Sequence, residues 1–220
     1  MASLRGVAMT ARGSHTARAM ATPAQSDEPD DDAALMLAYA GGEAGAFDRL
    51  YHRHKGGVYR YLLRQCRSPA IADELFQDVW MNVIRVRASY RPTARFTTWL
   101  YTLAHNRLVD HWRASGHVTL VSADDDDGPA RDAIEAIAGA RADEPEVATQ
   151  SRALGASLCA ALARLPAVQR DAFLLHQEGG LPLADIAVMT GVGIETVKSR
   201  LRYALAKLRT DLADWHAEPS

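Results

Sequence analysis

Five cations, Lys198, Arg200, Arg202, Lys207 and Arg209, fall within GVGIETVKSRLRYALAKLR at 191–209, where Glu195 is the only acid. A basic helix of this kind is either a solvated face or a surface for phosphate. Placed at about 100° per residue, Ile194, Val197, Leu201, Leu205 and Leu208 cluster on one side, which is predicted to face a core. Thr196, Ser199 and Tyr203 point the other way. Arg200 and Lys207 flank them on one edge, Glu195 and Arg202 on the other. Short hydrogen-bonding side chains between rims of cations suit a helix in a DNA major groove, with cations on phosphates and the central residues on base edges. The preceding residues, LPLADIAVMTGVG, complete a helix-turn-helix. Ala187 is small where two helices would cross. Gly191, four residues later, can take the left-handed backbone of a tight turn. Ile186, Val192 and Val197 would seal the pair.

Two further stretches combine groups that could bind rather than react. RPTARFTTWLYTLAHNRLVDHWR brings Phe96, Trp99, Tyr101 and Trp112 together, with Tyr90 just before it. On a helix, Phe96, Trp99 and Leu103 share a face with Asn106, Arg107 and Asp110, while Tyr101, His105, Leu108 and Trp112 form a nearly opposite stripe. Such a helix is either sandwiched or meets something outside with one face. Aromatics beside Arg and Asn can stack on unpaired bases and contact phosphate; core packing is the other reading. In PAIADELFQDVWMNVIRV, Glu74, Asp78, Met81 and Arg85 line up at helical spacing, with Asp73 and Gln77 further round beside Trp80 and Ile84. Acids mixed with large apolar groups suit a protein partner carrying basic residues, or else a solvated acidic face.

Catalytic constellations are lacking. His52 and His54 are two apart and His105 and His111 six apart, so neither pair gives the i, i+4 face of a metal site. No Gly-rich phosphate loop or nucleophile motif occurs, and neither cofactor nor metal is expected. Cys66 and Cys159 lack metal-ligand spacing and read as small buried hydrophobes in a reducing cytoplasm. No apolar run approaches the about 20 residues that span a bilayer, and the N-terminus lacks the apolar core of a secretory signal.

The elements that must position these residues are predicted to be helices throughout. The net charge of −2 conceals three blocks. Residues 31–113 hold twelve Lys/Arg against eight Asp/Glu, 114–150 two against nine, and 151–215 eight against six. The middle block contains DDDDGP and DEPE and reads as an acidic flexible linker, with at most a helical turn at Ile134 and Ile137. Residues 1–30 read as a disordered tail. In the first block, Asp31 or Asp32 caps one helix and Gly41-Gly42 breaks it. A second holds Phe47, Leu50 and Tyr51, and VYRYLLRQC follows Gly56-Gly57 as a new helix or beyond a kink. Ser68 caps a further helix with Pro69 at its first position, and another runs from about Arg95 to Arg113. The last block reads as four helices broken at Pro166, at Gly179-Gly180 with Pro182, and at Gly191-Val192-Gly193. The expected fold is therefore all-α, with two small helical domains: a bundle at 31–113 and a helix-turn-helix domain at 151–215.

Taken together these stretches resemble a bacterial RNA polymerase sigma factor of the extracytoplasmic-function group, within the sigma-70 family. ADELFQDVWMNVIR resembles the family's polymerase-docking helix, FTTWLYTLAHNRLVDHWR its promoter-melting helix, and LARLPAVQRDAFLLHQEGGLPLADIAVMTGVGIETVKSRLRYALAKLR its −35-reading domain. The resemblance implies that Asp73, Glu74, Gln77, Asp78 and Asn82 hold the β′ clamp of core polymerase. It implies that the loop 89–95, including Tyr90 and Arg95, captures opened −10 bases with Phe96 and Trp99, supported by Asn106, Arg107 and Arg113. Thr196, Lys198, Ser199, Arg200, Arg202 and Tyr203 would read or grip the −35 duplex. The implied partners are core polymerase, at clamp and β flap, and promoter DNA, with an anti-sigma factor or other regulator as a further partner the resemblance allows. The implied location is the cytoplasm, without membrane insertion. One departure stands at Ile71, where the family often places an acid, which implies a weaker clamp contact or one that depends on a regulatory event. The competing reading is a helix-turn-helix regulator that binds DNA without being a polymerase subunit. The helix-turn-helix alone allows it; the aromatic and acidic-apolar helices speak against it.

Overall fold

The computed structural model describes residues 31–116 and 145–213, with side chains from residue 153 in the second segment. The expected tail at 1–30, and Ile134 and Ile137 of the expected linker, lie outside the described residues. Eight α-helices and one 3-10 turn make up these residues, and no strand occurs among them, so the fold is all-α.

In the first domain, α1 (Asp31–Ala40) leads through Gly41 and a positive-φ Gly42 into α2 (Ala44–Cys66). That helix runs unbroken through Gly56-Gly57, because no proline interrupts its hydrogen bonding and apolar residues continue on both sides. It ends at Arg67, in the left-handed region at φ 57°, whose N–H returns to Leu63 O. α3 (Pro69–Val86) follows an extended Ser68 whose side chain makes no cap bond, so Pro69 and the extended residue before it set the start. A 3-10 turn at Arg87–Ser89 and an open loop lead to α4 (Phe96–Ala114). α2 packs against α1, α3 and α4 over Leu50, Val58, Leu62, Leu75, Val79, Phe96 and Leu100, all buried.

The second domain comprises α5 (Pro145–Arg164), α6 (Ala167–Gly179), α7 (Leu183–Thr190) and α8 (Ile194–Asp211). α5 thus begins inside the segment expected as linker. α8 packs on α5, α6 and α7. Its buried seam is Val197, Leu201, Ala204 and Leu208. Ile194 and Leu205, expected in that seam, are 42% and 38% exposed. Steps of four, three and four centre the stripe on Ala204, which is fully buried, and this leaves Leu205 at the rim. One buried apolar cluster continues from the first domain into the second, where α2 and α4 meet α6.

Candidate nucleic-acid and protein interfaces

Gly191 at φ 69° ends α7 and turns the chain, Val192 N–H bonds Ala187 O, and extended Gly193 starts α8. Ile186 and Val197 are fully buried between the two helices, with Ala187 beside them. The opposite side of α8 lies open: Thr196, Lys198, Arg202 and Tyr203 are exposed, and Ser199 and Arg200 are half-buried. Several of these side chains are pre-set. Lys198 pairs with Glu195 at 2.7 Å, the Ser199 hydroxyl donates to Thr196 O at 2.9 Å, and the Arg202 guanidinium lies 5.1 Å from the Tyr203 ring centroid.

α4 is sandwiched. Tyr101, His105 and Leu108 are buried on the stripe that meets α2 and α6, and Phe96, Leu100 and Ala104 on the rest of its inner surface. Asn106, Asp110 and Arg113 remain exposed. Tyr90 and Phe96 are only 3% and 0% exposed, so in this arrangement neither presents a ring face to solvent. The cause is an aromatic cluster: Tyr90 and Phe96 lie 4.9 and 5.7 Å from half-buried Trp99, and His54 lies 5.3 Å from Phe96. His54 is in turn fixed by buried Asp32 at 2.8 Å, which also takes Arg53. The cluster anchors a loop whose residues Arg91 to Arg95 are all exposed.

On α3, Asp73, Glu74 and Gln77 are exposed, and Asp78 and Asn82 are half-buried. Met81 is 62% exposed in the same band, while Trp80 turns inward onto Phe47 and Tyr51. Asp78 receives the Arg107 guanidinium at 2.6–2.7 Å, which ties α3 to α4 and joins two residues expected at different interfaces. Asn82 accepts from Arg85 at 2.7 Å. Ile71 is half-buried against the core, so the departure there is an apolar packing residue.

A further polar cluster, absent from the sequence reading, lies where the two domains meet. Asp171 Oδ1 accepts from the Tyr61 hydroxyl at 2.9 Å and from Gln65 Nε2 at 2.7 Å, and Asp171 Oδ2 lies 3.4 Å from His105 Nδ1. Arg170 Nε donates to Gln65 Oε1 at 3.2 Å. Burial, then the charge of Arg67, lowers the Arg170 guanidinium to about 10, and burial pushes the Cys66 thiol up to about 12. Glu178 takes Arg60 at 2.8 Å and Arg64, and its main-chain carbonyl accepts from the Tyr101 hydroxyl at 2.7 Å. Thr98 donates to Asp185 at 2.6 Å, and Arg67 to Ala163 O. The available signal was faint: Tyr61 with Gln65, Arg60 with Arg64, and Asp171 with Glu178 recur at four or seven residues, but α2 carries many other polar and charged side chains that mask the pattern. Among the described residues, no group of His, Cys, Asp or Glu is placed to hold a metal ion, and no helix is long and apolar enough to cross a membrane.

Comparison with known proteins accords with this arrangement. Residues 50–118 match the family Sigma-70 region 2, and residues 157–208 match Sigma-70, region 4. The ECF RNA polymerase sigma factor SigM of Mycobacterium tuberculosis is 32% identical over 178 residues, 80% of this chain and 82% of that protein. The RNA polymerase sigma factor CarQ of Myxococcus xanthus is 30% identical over 183 residues, 83% of this chain and 98% of that protein. In structure the chain is similar to CnrH, solved in complex with the cytosolic domain of CnrY, with a TM-score of 0.57 at 20% identity over 83% of this chain and 97% of that one. It is also similar to RpoE of Bartonella quintana, solved with the anti-sigma factor NepR, with a TM-score of 0.55 at 22% identity over 76% of this chain and 96% of that one. The chain belongs to the extracytoplasmic-function RNA polymerase sigma factors.

Proposed function

We propose that the chain docks on the core polymerase clamp through the α3 band of Asp73, Glu74, Gln77, Asp78 and Asn82, with Met81 as an apolar centre. Residues 31–113 then hold the opened −10 strand. Trp99 and the exposed loop before α4 meet bases, Tyr90 and Phe96 brace that loop from inside, and Asn106, Arg107 and Arg113 support the strand. Residues 151–215 read the −35 duplex, with Thr196 and Ser199 toward base edges and Lys198, Arg200 and Arg202 toward phosphates beside Tyr203. The chain does no chemistry of its own and works in the cytoplasm as a specificity subunit.

The observation that carries this reading is the α8 face: hydrogen-bonding and cationic side chains stand exposed opposite a seam in which Val197 and Ala204 are fully buried and Leu201 and Leu208 nearly so. Polymerase affinity supplies the test. Glu74→Lys reverses an exposed charge without touching the core, and it is expected to weaken binding of the full chain to core polymerase about tenfold, one step of about 1.4 kcal/mol. Equal affinity of variant and parent, together with specific promoter binding in the absence of polymerase, would favour the free-standing regulator.

A further inference from the structure

We propose that His54, held by Asp32, is a positioning residue for −10 capture: it fixes the ring of Phe96 and, through it, Trp99 and the loop before α4. The inference rests on the reading of Trp99 and residues 91–95 as the surface that meets the opened −10 strand.

The sequence gives Asp32 at most a helix cap and offers His54 no metal partner. In the structure Asp32 lies in the first turn of α1 and its side chain meets α2. His54 Nε2 lies 2.8 Å from Asp32 Oδ2, and the two side chains are 12% and 11% exposed. A carboxylate oxygen only accepts, so Nε2 carries the hydrogen of that bond. Arg53 pairs with the other oxygen, Asp32 Oδ1. Both oxygens are thus engaged from α2, and the imidazole cannot turn away without leaving a nearly buried acceptor one donor short.

The imidazole in turn meets the rings that anchor the loop. Its centroid lies 5.3 Å from that of Phe96, the fully buried first residue of α4. The Phe96 ring lies 5.7 Å from Trp99 and 6.3 Å from Tyr90, and Tyr90 lies 4.9 Å from Trp99. Tyr90 and Phe96 are the buried residues at which the exposed stretch 91–95 leaves and rejoins the domain. α1 also reaches the 3-10 turn before Tyr90, where the Arg87 guanidinium lies 5.7 Å from the Tyr39 ring centroid. Inside the loop, Arg91 donates to Tyr90 O and the Thr93 N–H to Arg91 O, both at 2.8 Å, and these local bonds leave its direction to be set by its ends.

Packing alone does not call for this pair. An apolar side chain at 54 would fill the space beside Phe96 without burying a polar bond. What the bond adds is direction, which apolar packing lacks. A ring order set in advance reduces the ordering cost that falls on Trp99 and the loop when a strand binds.

The test uses the full chain with core polymerase. Its probe is the −10 single strand of a promoter recovered from a random library by that same complex. His54→Phe keeps a ring against Phe96 but loses the bond, and Asp32→Ala removes the acceptor. Asp32→Asn is the conservative variant: its oxygen still accepts from Arg53, and its amide nitrogen donates to Nε2 once the imidazole carries its hydrogen on Nδ1. His54→Phe and Asp32→Ala are each expected to weaken strand binding about tenfold, the ordering cost of one or two side chains. Each should also flatten discrimination among single-base substitutions in the strand. The double variant should lose no more than either alone, and Asp32→Asn should bind nearly as the parent does. Affinity for core polymerase and for the −35 duplex should hold at the parent's level throughout. Parent-like strand affinity and discrimination in both disruptive variants would overturn the positioning role. So would an equal loss of polymerase and −35 affinity, which would make the pair a folding element. No promoter recovered, or a parent complex that binds the strand no better than a scrambled one, would contradict the reading of the loop, and the positioning role with it.

Discussion

His105 is the residue whose chemistry depends most on the meeting of the domains. Burial disfavours its charged form, but the charge of Asp171 and its hydrogen bond outweigh this, so the imidazole is held above its usual value of 6.5. Tyr61 from α2 and Asp171 from α6 lie against it, Arg170 neighbours Asp171, and Asp110, Arg113 and Arg200 line the adjoining cleft. A group raised where the domains meet contributes docking free energy that is fully present below 6.5 and is lost as pH rises through the higher value of the docked state. The chain should therefore be more compact below pH 6.5 than above it, and His105→Gln should flatten that dependence; scattering across the range measures both. A pH response that persists unchanged in the variant would assign it to other groups. None of this was legible in sequence. Tyr61 and Asp171 are 110 residues apart, and their side chains follow ordinary helical spacing.

At the scale of the element, α8 separates two kinds of side chain that a single helical projection had mixed only at its rim. Gly191, Ala187 and the Val197, Leu201 and Leu208 positions were legible because turn chemistry and apolar period act within a few residues of one another. Leu205 was misplaced because the centre of the seam is set by the helices packed on α8, which the period along α8 itself does not encode. The continuity of α2 through Gly56-Gly57 escaped for a related reason. Paired glycines usually punctuate helices, and only the approach of Tyr101 and Glu178 explains the second one. On the exposed side of α8, the division of labour gives opposite mutational signatures. Lys198→Ala or Arg202→Ala should weaken promoter binding evenly across sequences and reduce the salt slope by about 1 each. Thr196→Ala should instead change preference at a single base position by about 1–3 kcal/mol, with the salt slope intact. Binding of the polymerase complex to a panel of −35 variants at several salt concentrations distinguishes the two.

Across the whole molecule, two mildly basic helical blocks flank a segment rich in acids, and the slightly negative total conceals that order. The fold class was legible because it rests on local helical patterns. The packing of the two domains on each other was not, because it depends on bonds between α2, α4 and α6. α3 carries an acidic band with exposed Met81, α4 follows an exposed loop anchored by buried aromatics, and α8 presents a cationic outer face. We propose that these surfaces act together on one promoter under the direction of one polymerase. Transcription in vitro with purified core polymerase and a random promoter library, with and without this chain, tests that claim most directly. Transcripts that need both proteins and share two upstream elements at fixed spacing are the predicted result. No such transcript, although the chain and core polymerase associate, would contradict it.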